Sequence, residues 1–176
     1  MNLTLSELLV EYDRAVAWTD SLWTDLSPAQ VAWRPEPDSS AIGWHLGHQA
    51  AVAHYLIRNL TAAEQSPDPD LDGLMDSATP EPDRGDLPDV DRIARYRSTV
   101  ADRVRFRIGQ IDDGRVGAPA QLRLIAGTLL TAVVNHEYQH SKWIGEVRAE
   151  QHGLDVPPPP SSQSLTVVDG YSVLAI

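Results

Sequence analysis

The chain has 176 residues, 42% of them hydrophobic, which is enough for one domain with a core of its own. It contains no cysteine, so disulfides and thiolate-bound zinc are excluded, and any metal must be held by His, carboxylates or water. A formal net charge of -11 argues against nucleic acid as a partner.

The N-terminus, Met1 to Glu7, lacks the basic and apolar regions of a signal peptide, and no apolar run approaches the roughly 18–20 residues that span a bilayer. A cytoplasmic protein without a membrane partner is the expectation. Leu9, Tyr12, Val16, Thr19, Trp23 and Leu26 keep helical spacing, which predicts a helix over 4–25 ended by Ser27-Pro28. Residues 31–40 read as a connection with a short helical turn. A second helix is predicted over 40–63, capped by Ser39 or Ser40, with His45, His48, Val52, Leu56 and Leu60 along its seam.

Between 61 and 89 the composition turns acidic and proline-rich, with Arg84 as the one basic residue, which predicts a long solvated loop. Asp68 to Asp76 matches the start of an EF-hand calcium loop. Thr79 stands where the bidentate Glu belongs, so an acidic surface loop is the better reading. A third helix is predicted over 89–111. Arg97 lies on its apolar stripe and is expected to snorkel outward, the alternative being an inward guanidinium aimed at an acidic ligand. Residues 114–119 read as a turn.

The fourth helix is predicted over 122–150. Leu122, Ile125, Leu129, Val133, Ile144 and Val147 form its stripe, and His136 and His140 continue that stripe in step. Four residues apart, the two imidazoles share one face, where a common metal would satisfy both. After Gly153, residues 157–160 are proline and 165–174 read as two short strands around Asp169-Gly170. Such a hairpin is barely stable alone, so it is expected to pack on the bundle or on a second subunit. The fold class expected is all-α, a four-helix bundle over 1–153 with long crossover connections, followed by a proline-rich segment and extended tail over 154–176. In such a bundle the site lies in the core. The string Trp44-His45-Leu46-Gly47-His48 then offers two further imidazoles near a helix start.

The motifs Ile42-Gly43-Trp44-His45-Leu46-Gly47-His48 and His136-Glu137-Tyr138-Gln139-His140 resemble those of the DinB/YfiT-like superfamily. They are especially similar to the histidine motifs in the DinB-like domain of ergothioneine-pathway sulfoxide synthases. The resemblance covers about residues 3–150. It implies that His48, His136 and His140 are the metal ligands, with His45 in an accompanying position. It also implies a compact metal-dependent domain, often a homodimer, that uses a low-molecular-weight thiol, as bacillithiol S-transferases and mycothiol-dependent enzymes do. Neither the formylglycine-enzyme-like domain of the sulfoxide synthases nor the extra C-terminal domain of the mycothiol-dependent maleylpyruvate isomerases is expected, so a stand-alone DinB-like protein is the expectation.

A divalent zinc, nickel or iron ion suits three imidazoles. The expected activity is that of a mycothiol-type S-transferase, joining a small-molecule thiol to an electrophile. Tyr12, Tyr55 or Arg97 would orient the electrophile, and Glu137 is a candidate for proton handling. His54, six residues past His48, should lie on the opposite side of its helix. Two other readings stand beside this one. The first is a non-catalytic metal-binding bundle. The second is an HExxH zinc metallopeptidase with Glu137 as base, which lacks a suitable downstream ligand and a preceding strand.

Overall fold

Thr4 opens the first helix with a capping box. Its hydroxyl accepts from the Glu7 amide (3.2 Å), and the Glu7 carboxylate accepts from the Thr4 amide (2.7 Å). A computed structural model describes residues 3–34, 36, 39–61 and 64–174. Helix α1 spans Leu5–Trp23 and the short α2 spans Pro28–Ala32. Then come α3 (Ile42–Ile57), α4 (Pro69–Leu74), a single 3-10 turn (Glu81–Asp83), α5 (Val90–Asp112) and α6 (Pro119–Glu150). Strands β1 (Leu165–Val168) and β2 (Tyr171–Leu174) close the chain, and the architecture is the expected all-α bundle with a hairpin tail.

Contacts between helices fix the topology. Thr19 meets Glu137 and Arg148 reaches the Leu22 carbonyl, so α1 and α6 run in parallel. Asp20 faces Arg97 and Asp13 faces Arg105, so α5 runs against α1. His45 packs on His140 and His48 on His136, so α3 runs against α6. Two helices therefore point up and two down, and the long segment 58–89 is the crossover that returns the chain from the end of α3 to the start of α5. Leu8, Ile42, Val100, Leu130 and Val133 are among the buried side chains that fill the space between the four.

Several boundaries differ from the sequence expectation. Helix α3 begins at Ile42 with Ala41 as N-cap and no side-chain cap, rather than at Ser39 or Ser40. Ser40 is occupied elsewhere, donating to Glu81 and accepting from Arg84. The helix ends at Ile57, and residues 62–63 of the predicted span lie outside the described residues. The helical turn expected within 31–40 lies earlier, where Ser27 and Gln30 form a second capping box around Pro28.

The acidic segment is not a plain solvated loop. Asp68 caps α4 through the Leu71 amide (3.1 Å) and pairs with Arg92 at 2.7 Å, while Leu71 and Met75 are wholly buried. Asp72 accepts from the Tyr96 hydroxyl, and Asp76 accepts from the Ala78 amide. Asp70 shares Arg92 with Asp68, at 3.6 Å, so the carboxylates of the EF-hand-like string are spent on three different groups of the chain, Arg92, Tyr96 and the Ala78 amide.

The tail is docked on the bundle. Asp169 and Gly170 both take positive φ (51° and 83°), as a tight two-residue hairpin requires. The Leu174 amide donates to Asn135 Oδ1 at 2.7 Å, and Trp143 Nε1 donates to the Tyr171 hydroxyl at 3.2 Å. Upstream, Trp18 Nε1 bonds the Pro157 carbonyl (3.0 Å) and Ser162 donates to Glu11 (2.6 Å). Among the described residues, no helix is long and apolar enough to cross a membrane.

Candidate metal centre

Helix α6 stacks His136 and His140 one turn apart, with ring centroids 4.3 Å from each other. Helix α3 brings His48 against both, at 5.0 Å from His136 and 4.9 Å from His140. One ligand atom from each of the three imidazoles lies within 4.8 Å of the others, the distance at which a single ion could be shared.

Two of the rings have a fixed orientation. His48 Nδ1 lies 2.7 Å from the Met75 carbonyl, which can only accept, so Nδ1 carries the proton and Nε2 is left with a lone pair. Met75 reaches this position because residue 47 is glycine; a Cβ there would meet Met75 Sδ at 2.6 Å. His140 Nδ1 lies 2.8 Å from His45 Nδ1. If His140 offers Nε2 to a metal, its Nδ1 donates to His45, the kind of outer contact that orients a ligating imidazole. Trp44 stacks on His48 at 4.5 Å, the Arg84 guanidinium lies 3.8 Å from the centre of the same indole, and Trp143 meets His140 at 79° with ring centroids 4.7 Å apart.

The electrostatics favour neutral rings. Burial pushes the His136 imidazole down to about 4, helped by His48, and the His45 imidazole down to about 3. His48 and His140 are lowered as well, again chiefly by burial. Three neutral nitrogen donors from two helices fit a divalent first-row metal, since an imidazole must be unprotonated to ligate.

The other candidate residues fall in two places. Tyr55 is 65% exposed, on the rim of a cleft of about 440 Å³ whose wall includes His48 and Met75, and Arg58 lies 5.4 Å above its ring. Tyr12, Arg97 and Glu137 are instead buried in the bundle interior. Arg97 does not snorkel. It turns inward, pairing with Glu137 and donating to Gln49 Oε1 at 3.1 Å and to Asp20 at 3.3 Å. The reason is that a guanidinium can stay in the core when a carboxylate from another helix faces it.

Glu137 also accepts from the Thr19 hydroxyl at 2.8 Å, so its carboxylate is engaged away from the imidazoles. That removes the base on which the metallopeptidase reading depends. His54 is buried but stands outside the cluster, as its spacing requires. Sequence reasoning missed Gln49 and Met75. Gln49 carries a signal, a polar side chain beside a seam histidine, whereas the helical step of Leu71, Leu74 and Met75 is only one turn long and lies among carboxylates.

The family model of the DinB superfamily matches residues 11–144. No curated protein matches the chain.

Proposed function

The chain belongs to the DinB superfamily, and from that premise we propose that it is a metal-dependent S-transferase joining a mycothiol-type small thiol to an electrophile. His48, His136 and His140 would hold the ion, and zinc, nickel and iron all suit that donor set. The observation that carries the reading is the convergence of three imidazoles, one of them fixed by a backbone carbonyl so that its free nitrogen is Nε2. A divalent ion with three neutral ligands keeps its full charge, and the chemistry it supplies when bound is the acidification of a thiol.

The chain's own residues supply orientation and shape. The Met75 carbonyl holds His48, and His45 holds His140. The cleft beside His48 is the place for the electrophile, and Tyr55 and Arg58, together with Asp72 and Asp76, are among the side chains that line it. Tyr12, Arg97 and Glu137 hold the helices together and do not reach substrate. The reaction forms one sulfur–carbon bond, breaks the bond to the leaving group and releases the thiol proton to water.

The test is conjugation of a model electrophile by metal-loaded protein with several thiols, in wild type, His136→Ala and His140→Ala. Turnover is expected with at least one thiol and should fall to background in both variants. Turnover at the wild-type rate in both would overturn the reading. A second reading, a bundle that holds a metal without catalysing a reaction, is favoured by one observation: of the four reactive candidates, Tyr55 alone is exposed. Metal uptake without turnover on any thiol would select it.

A further inference from the structure

Beside the three imidazoles lies a buried polar cluster drawn from all four long helices. Gln49, the residue after His48, is 1% exposed. Its Nε2 donates to the backbone carbonyl of Glu137 at 2.9 Å and to Ser141 Oγ at 3.3 Å, while its Oε1 accepts from Arg97. Glu137, the residue after His136, is held in turn by Arg97 and Thr19. The hydroxyls of Thr19 and Ser141 lie 2.5 Å apart and complete the cluster.

We infer that Gln49 is a positioning residue for the metal centre: by binding the α6 backbone at Glu137 it sets the register between α3 and α6, and so places His48 against His136 and His140. The inference rests on the reading of those three histidines as ligands. A slip of one residue along a helix is 1.5 Å of translation and 100° of rotation. That would carry His136 and His140 off the face of His48. A slip of α6 against the other three helices would leave the Gln49 amide nitrogen and the Glu137 carboxylate without their partners, in an interior that makes unpartnered polar groups costly. An apolar side chain at 49 could fill the space in more than one register. A single buried polar residue is a known device for selecting one, as in coiled coils. Because Gln49 binds a main-chain carbonyl, it senses the position of the α6 backbone itself rather than a side-chain rotamer.

The probe is cobalt(II) alone, followed by its visible absorption spectrum and by titration against a competing chelator, on the full chain. Three proteins are compared: wild type, Gln49→Leu, and Ile108→Ala as a destabilised control. Ile108 is fully buried on α5, about three turns from Arg97. Gln49→Leu is expected to bind cobalt at least tenfold more weakly and with an altered spectrum. Ile108→Ala should lower the melting temperature yet keep wild-type affinity and spectrum. If Gln49→Leu does not fold, Gln49→Met, equal in length and more adaptable, takes its place with the same expectation. Wild-type affinity and spectrum in the Gln49 variant would overturn the inference alone, as would equal weakening in Ile108→Ala. A wild-type protein that takes up no cobalt would overturn the ligand reading as well.

Discussion

Arg97 and Glu137 face each other with side chains 6% and 4% exposed, an ion pair almost wholly withdrawn from water. Burial is the largest single effect and works against the Arg97 charge, and Glu137 with the smaller help of Asp20 and Tyr12 outweighs it, holding the guanidinium above its ordinary range. Such a pair adds little compared with an apolar substitute, but removing one partner strands the other. Glu137→Gln is therefore expected to cost about 3–5 kcal/mol of unfolding free energy. Tyr55→Phe, at an exposed position, should stay within about 0.5 kcal/mol. Urea unfolding monitored by tryptophan fluorescence measures both. A Glu137→Gln protein that unfolds at the wild-type midpoint would mean that the carboxylate is not serving as the counter-ion of Arg97. A peptidase base would behave in the opposite way, with loss of peptide cleavage and little change in stability.

At the scale of elements, the centre depends on how closely the segment carrying α4 approaches α3. Gly47 lets Met75 lie against the helix; an alanine Cβ would meet Sδ, Cε and Cγ at 2.6, 2.7 and 2.8 Å. Overpacking of this kind costs about 1–3 kcal/mol. Here it would also push away the carbonyl that holds His48. Gly47→Ala should accordingly lower both the melting temperature and the affinity for cobalt. An unchanged affinity would show that the Met75 carbonyl does not set the ring.

The same two elements mark how much of the molecule could be read from the sequence. The histidine face of α6 was legible because His136 and His140 keep step with Val133 and Ile144; toward the helix start the expected stripe fails, since Ile125 is exposed and Ala126 and Leu130 are buried in its place. Leu71 and Met75 were not legible as core, since the step Leu71, Leu74, Met75 is a single turn among carboxylates, too short to mark a helix, and their burial depends on packing against α3. Arg97 was placed on the right stripe but given the wrong direction. A pattern along one helix cannot report that Glu137, forty residues on, will face it. Ser40 looked like a cap for the same reason, its actual partners Glu81 and Arg84 being distant in the chain.

At the scale of the whole molecule, the buried imidazoles make the metal-free protein sensitive to mild acid. In the unfolded chain each His titrates near 6.5. In the fold His136 is held down to about 4 and His45 down to about 3, with His48, His140 and His54 lowered too, all chiefly by burial. The unfolded state therefore binds more protons than the native state below about pH 6.5, and stability falls as pH falls. The contribution is complete above 6.5 and is lost through the window from 6.5 down to about 4 for His136 and about 3 for His45. Carboxylates such as Asp25 and Asp68, held low by Arg148 and Arg92, have an unfolded value near 3.9, so the loss they bring belongs to more acidic conditions. Between pH 7.5 and 5, the slope of melting temperature against pH thus reports on the histidines. The metal-free melting temperature should be level above pH 7 and decline steadily below 6.5. Added divalent ion should raise it most at high pH, because protons and metal compete for the same nitrogens. A metal-free melting temperature that stays constant from pH 7.5 to 5 would mean that these rings do not pass from water into a dry interior on folding, and the neutral three-imidazole centre would lose its physical basis.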